Sequence, residues 1–263
     1  MRKKLGLALG SGGSRGVAHI GFLQALEEAE IKADFVSGCS MGAIVGACYC
    51  AGVSMQTVKE RMLKLRLSRI ASLNVAPIKN NGLLRMNKAR KLLEEYIGGK
   101  TFDELEIPFA CVATDLDAGE IVKLDTGNVI DAAIASSSIP GAFTPAVIDG
   151  KTLVDGGILD RVPTQELVEM GAEVIVAVDV LGDLTIKQPT GNLIDTLLRC
   201  IDIMDTRSTQ RKRKSRSKSV DLWLEPDLGA MDQYKIKNLQ FAYDKGYELG
   251  KANAEEIKRL IEE

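Results

Sequence analysis

The sequence predicts an α/β fold in which a sheet is covered by helices on both faces, and three observations carry that expectation. Short apolar runs of strand length alternate with amphipathic helical patterns through the first three quarters of the chain. The run Glu173 to Val180 is almost continuously apolar, as in a strand covered on both sides. Glycine-rich turns follow two of the strands and open helices.

Taken in order, Leu5 to Leu9 is the first strand, Gly10 to Gly16 a glycine loop, and Val17 to Ala29 a helix with Ile20, Leu23, Ala25 and Leu26 on its apolar face. Phe35 and Val36 form a second strand leading into Gly38-Cys39-Ser40-Met41-Gly42, and a small-residue helix, Ala43 to Ala51, stops at Gly52. Ser54 and Asn87 are expected to cap the next two helices, and Gly98 closes the second. Thr101 and Glu104 have capping-box spacing. Residues 66 to 86, between those helices, carry little periodicity; an apolar flap built on Leu67, Ile70, Leu73, Val75, Leu83 and Leu84 and ordinary core packing are both open readings. Phe109 to Thr114 and Ile121 to Leu124 flank the turn Asp117-Ala118-Gly119, while Ala146 to Ile148 and Thr152 to Val154 flank the hairpin signal Asp149-Gly150. Val129 to Ser137 reads as a helix stopped by Pro140. A long helix from about Asn192, a strand near Val220 to Leu224 and a helix from about Asn238 complete the chain.

The chain has 263 residues, 45% of them apolar, and no composition break, which suits one domain over 1–263. Lys and Arg total 34 against 36 Asp and Glu, so a net charge of −2 offers no field to attract nucleic acid. Arg207 to Lys218 holds seven basic residues; a solvated helix end is the expected role, with lipid headgroup contact the alternative. Five cysteines, none in C-x-x-C spacing, imply reduced thiols and a cytoplasmic protein without a bound metal. The apolar run after MRKK is too short for a signal peptide, and nothing approaches the roughly 20 apolar residues of a membrane span, so membrane contact would be peripheral.

Gly38 to Gly42 fits G-x-S-x-G, where Ser40 occupies a sharp strand-to-helix turn and the flanking glycines let the backbone double back. The loop Gly10-Ser11-Gly12-Gly13-Ser14-Arg15-Gly16 can gather amides on an anion. A dinucleotide site would need glycine where Arg15 stands, and a P-loop would need Gly-Lys-Ser/Thr at the end. An oxyanion hole remains, built from amides around Gly12 and Gly13 with Ser14 and Met41 as further donors; each such donor is worth roughly 3 to 4 kcal/mol in a transition state. A plain tight turn is the structural alternative.

A nucleophilic serine needs a base, and His19 is the single histidine. It precedes Ser40, which excludes the Ser, Asp, His order of α/β-hydrolases, and its place on an amphipathic helix suits packing. A carboxylate is therefore expected. Asp155 stands out because it ends an apolar strand and precedes Gly156-Gly157, whereas Asp115, Asp117, Asp125 and Asp149 suit turns and Asp160 with Arg161 suits a surface pair.

LGLALG with its glycine loop, VAHIGFLQALEE, GCSMGAIVGA, ASSSIPGAFTPAV and LVDGGILDRVP follow one another over about residues 5–165, and in that order the chain resembles the patatin-like phospholipases, compact bacterial members above all. The resemblance implies a three-layer α/β/α sandwich with a mostly parallel central sheet. It also implies hydrolysis of lipid acyl esters by a Ser-Asp dyad without histidine or cofactor. Ser40 would be the nucleophile, Asp155 the base, Gly12 and Gly13 the oxyanion donors, and Arg15 a support for the loop. Two positions depart from the family: Ser11, where a third glycine is common, still offers an amide, and Arg161, where Asn is common, is expected outside the reacting centre. Phospholipase A, lysophospholipase, thioesterase and general esterase activities stay open, as do a non-catalytic or nucleotide-binding regulator and the oligomeric state.

Overall fold

Leu5–Leu9 (β1) is buried at every residue, and its side chains divide between two cores because successive residues point to opposite faces of a sheet. Leu5, Leu7 and Leu9 enter the larger core with Phe22, Val36 and Ile130, while Ala8 joins Val162, Leu167, Ile175 and Ala177 in a smaller one. The chain is thus a sheet between two helical layers. The structure is a computed structural model that describes residues 2–64, 72–73, 82–182, 191, 193–216 and 219–263.

The further strands are Phe35–Gly38 (β2), Ser72–Leu73 (β3), Gly82–Arg85 (β4), Phe109–Asp115 (β5), Glu120–Leu124 (β6), Gly141–Phe143 (β7), Ala146–Ile148 (β8), Lys151–Asp155 (β9), Val174–Val178 (β10) and Leu222–Leu224 (β11). The central sheet has the order β11-β10-β1-β2-β5-β9-β8, with β6 also on β5. Its pairs from β11 to β5 are parallel, and β6, β9 and β8 add antiparallel ones. The helices are Ala18–Glu28 (α1), Met41–Cys50 (α2), Met55–Met62 (α3), Asn87–Ile97 (α4), Val129–Ser136 (α5), Gln165–Met170 (α6), Leu193–Ser215 (α7) and Leu239–Glu262 (α8).

Local chemistry explains most of these boundaries. The Ser54 hydroxyl accepts from the Thr57 amide, and the Glu104 carboxylate accepts from both Thr101 N–H and Oγ1. Asp149 and Gly150 both take positive φ, at 50° and 77°, as a tight two-residue hairpin requires. Asn87 is the first helical residue of α4 and caps nothing with its side chain; Met86 holds the cap position. The sequence pattern also passes over α6 and the small sheet β3-β4-β7, whose pieces are too short to show a period. Of the suggested flap, Leu67, Ile70 and Val75 lie outside the described residues.

Two expectations about charge are corrected. Asp160 and Arg161 are not a surface pair, for both are buried, Arg161 with 2% of its surface exposed. Its guanidinium donates to Asp179 (2.7 Å), Asp205 (2.9 Å), Thr206 and the Gly182 carbonyl, tying α7 to the end of β10. Nor is the basic end of α7 simply solvated: Arg216 donates to Asp160 and Thr164, and Lys212 to the Leu159 carbonyl. Lys218 lies outside the described residues.

Helices α1 and α8 cross where neither has bulk. A Cβ on Gly21 would lie 2.1 Å from the Tyr243 carbonyl oxygen, and one on Gly246 would lie 1.8 Å from that of Ala18. Gly246→Ala is therefore expected to lose about 1–3 kcal/mol by overpacking, while Gly99→Ala, with open space around it, stays within about 1 kcal/mol in urea titrations. Arg161→Met strands two buried carboxylates and is expected to cost about 3–5 kcal/mol in the same measurement.

Candidate active site

The C-terminal ends of β1 and β2 and the end of β9 converge on one point. Along β5, Gly38 of β2 pairs with Cys111 and Asp155 of β9 pairs with Ala113, while β6 occupies the opposite edge. Hence β2 and β9 run toward each other on the same edge of β5, one parallel and one antiparallel, with only Val112 between their last pairings. Gly156 permits this junction, since a Cβ there would lie 2.4 Å from the Val112 carbonyl oxygen.

Ser40 turns out of β2 with φ 54° and ψ −120°, a left-handed backbone that costs a non-glycine residue about 1–3 kcal/mol. Its flanking glycines make the turn possible. A Cβ on Gly38 would meet Ala43, and one on Gly42 would lie 2.1 Å from the Leu9 carbonyl oxygen. The Ser40 amide donates to Ser136 Oγ at 2.9 Å, which anchors the turn to α5.

Ser40 Oγ donates to Asp155 Oδ2 at 2.6 Å, and both residues are buried. The other oxygen, Oδ1, accepts from the Gly157 amide at 2.8 Å and from Cys39 Sγ at 3.9 Å, while Thr114 Oγ1 holds the Asp155 carbonyl. Burial raises the Asp155 pKa to about 6 against the lowering effect of the bonds from Ser40, Gly157 and Cys39. A carboxylate so placed can take a proton from the hydroxyl it faces. His19 is fully buried and faces elsewhere: Nε2 bonds the Gly10 carbonyl at 2.8 Å, and burial lowers its pKa to about 4, so the ring is neutral.

The glycine loop lies beside Ser40. Its outer amides are engaged, Gly10 with Val178, Ser11 with Arg161 and Ser14 with Gln233. Ser11 and Ser14 thus have no amide to spare, which corrects the expectation for both. Among the described residues the amides of Gly12, Gly13 and Met41 donate to nothing, and all three residues border the space around Ser40. Gly16 lets the Met41 side chain pass at a distance no Cβ would allow, and Gly12 does the same for Val180. Arg15, whose burial lowers its pKa, donates from Nε to the Val180 carbonyl.

The segment between β11 and α8, which no sequence signal singles out, straps this loop. The carbonyls of Met231, Asp232 and Gln233 accept from Arg15, Ser14 Oγ and Ser14 N–H in turn. The strap is tied to α7 by Asp202, whose Oδ1 accepts from Gln233 Nε2 at 2.9 Å and Tyr234 Oη at 2.6 Å.

Two cavities meet at Ser40. The larger, about 300 Å³, runs between apolar side chains including Ile44, Val45, Leu93 and Phe143, with Arg61 and Tyr96 also on its wall. The smaller, about 50 Å³, carries Asp155, Asp202, Asp205 and Tyr234. Among the described residues no group of three or more His, Cys, Asp or Glu side chains is placed to hold a metal ion, and no helix is long and apolar enough to cross a membrane.

The profile of the patatin-like phospholipases matches residues 7–168. An uncharacterised NTE family protein of Mycobacterium tuberculosis is 39% identical over 180 residues, 68% of this chain and 49% of that protein. Lysophospholipase NTE1 of Coccidioides immitis is 26% identical over 282 residues, 97% of this chain and 18% of its own length. The chain thus spans about half the length of the mycobacterial relative and far less of the fungal one. Among solved structures, VipD from Legionella pneumophila superposes with a TM-score of 0.57 at 12% identity, over 97% of this chain and 67% of that one. The type III effector ExoU gives 0.56 at 13%, over 98% and 54%. At such identities the likeness is one of fold, and it agrees with the three-layer sandwich with its mostly parallel sheet described above. The profile covers more than half of the chain, from β1 through the Ser40 turn to the residues beyond Asp155, and by it the protein belongs to the patatin-like phospholipase family.

Proposed function

We propose that this protein is a serine hydrolase of lipid acyl esters, of the phospholipase A or lysophospholipase type, with Ser40 as nucleophile and Asp155 as its only base. The 2.6 Å bond from Ser40 Oγ to Asp155 Oδ2, with Ser40 on the wall of an apolar cavity, is the observation that carries this reading. The family and the lysophospholipase named among the relatives support the substrate class.

As Oγ attacks the ester carbonyl, its proton passes to Oδ2, and the carbonyl oxygen gains negative charge. The unengaged amides of Gly12 and Gly13, with Met41 at the N-terminus of α2, are the groups available to hold that charge. Collapse expels the alcohol, which takes the proton from Asp155. Water then attacks the acyl-serine, giving its proton to Asp155 and, through it, to Ser40. At about 300 Å³ the apolar cavity is at the small end of ligand sites, which favours one acyl chain over two.

A nucleotide-binding role fits less well, because the smaller cavity, at about 50 Å³, is far below the roughly 300 Å³ of the smallest ligand sites and the larger one is lined mainly by apolar side chains. A non-catalytic role leaves the left-handed Ser40 without a purpose. The free cysteines suit the reducing cytoplasm, where we place the enzyme, with lipid met peripherally.

Ser40→Ala and Asp155→Asn are each expected to lower kcat for p-nitrophenyl esters by about 10³-fold or more with the fold intact by circular dichroism. Because the base must be ionised and burial lifts its pKa to about 6, kcat/KM should fall as pH drops through about 6, and Asp155→Glu should move that limb. Gly13→Ala meets both a positive φ of 49° and the Gln233 carbonyl oxygen at 2.3 Å; a loss of about 10²-fold in kcat is expected from the displaced amide. Activity that survives Ser40→Ala would overturn the assignment.

A further inference from the structure

Helix α7 contributes its inner face to the site and leaves an unusual outer face. Leu198, Ile201, Asp202 and Asp205 border the small cavity beside Ser40. Leu197, Cys200, Met204, Arg207 and Arg211 recur at alternating steps of three and four residues, and so share the opposite side of the helix. All five are exposed, Leu197 by 56% and Met204 by 72%, and Ile203 flanks them at 45%. The first half of this face is apolar and the second half is basic, over about 20 Å of helix.

From this we infer that the outer face of α7 docks on an anionic lipid surface, with the active site behind the helix on its inner side. The inference deepens the hydrolase reading and rests on it for its purpose. Four neighbouring apolar side chains in water mark an interaction surface, and arginines on the same face select a negatively charged one. With a net charge of −2 the chain as a whole is not drawn to such a surface, so the attraction must come from a local basic face such as this one. A second copy of the chain is a poorer occupant, because four side chains fall well short of the roughly 800 Å² per partner that stable interfaces bury. The inner side of α7 is anchored by Arg161 to Asp205 and by Lys212 to Asp160, so the helix can bear on a surface without leaving the sheet.

The test uses the whole chain carrying Ser40→Ala, so that lipid is not consumed, in co-sedimentation with vesicles of phosphatidylcholine alone or mixed with phosphatidylglycerol. Binding to the mixed vesicles, weakened by salt, is expected. Leu197→Glu with Met204→Glu, and separately Arg207→Glu with Arg211→Glu, should each lower the partition coefficient by about tenfold or more, since one basic residue near an anionic surface contributes roughly fivefold. In the chain with Ser40 intact, neither pair should alter turnover of a soluble p-nitrophenyl ester. Equal partitioning of the variants, or no binding by the parent chain, overturns the docking face; so does a dimer that Leu197→Glu with Met204→Glu dissolves. Absent ester turnover with intact vesicle binding would instead defeat the hydrolase reading and leave the docking face standing.

Discussion

The end-to-end meeting of β2 and β9 on one edge of β5 is the constraint on which the site depends. A strand edge can be shared by two partners only if neither continues past the join, so both chains must turn away within a residue or two. Ser40 does so with a left-handed backbone and Asp155 by starting the 3-10 turn Gly156–Ile158. The two side chains therefore face each other because the strands behind them cannot overlap. Gly38 and Gly156 are the residues that make the crowding tolerable, and the Ser136 hydroxyl on the Ser40 amide holds the turn that results.

The glycine loop shows the same economy in a different form. A loop that gathers amides must leave some of them unused and still be fixed in place. Here the fixing is done by the neighbours of Gly12 and Gly13: Ser11 binds the Arg161 carbonyl, Ser14 binds the strap at Gln233, and Arg15 reaches Val180. Arg161 connects this arrangement to α7, for its carbonyl receives the loop while its guanidinium holds Asp205. Through Asp202 the same helix holds the strap. One helix thus supports the loop from two directions, which explains why charges are buried there at the expense of desolvation.

Much of this was legible in the sequence where information is local. The strands and helices follow from apolar period and caps, and β1, β2, β5, β9 and β10 fall at or within a residue or two of the expected positions. The serine turn is marked by its flanking glycines, and the lone histidine directs attention to a carboxylate. What stayed hidden is nonlocal. Arg161 is 18 residues from Asp179 and 44 from Asp205, so its polarity suggested the surface when its partners lay in the core. The strap from Met231 to Tyr234 works mainly through backbone carbonyls, which leave no trace in residue identity, and the same holds for the amides that Ser11 and Ser14 give away. Asn87 misled because a side chain able to cap is no guarantee of its backbone register.

The balance at Asp155 supports the proposal that an acid without imidazole is the base in this setting. Fully solvated, a carboxylate of ordinary pKa holds a serine proton too weakly to help much. Burial without partners would push the pKa to neutrality or above and leave the group largely protonated at neutral pH. Here burial raises it, and the donors on both oxygens hold it near 6, so that the ionised form prevails at neutral pH while its proton affinity stays above that of a surface aspartate. The Gly157 amide and Cys39 occupy Oδ1, so Oδ2 alone faces the hydroxyl. Direction as well as affinity is thereby fixed by the backbone that follows the strand, a task that in triads falls to the residue behind the histidine.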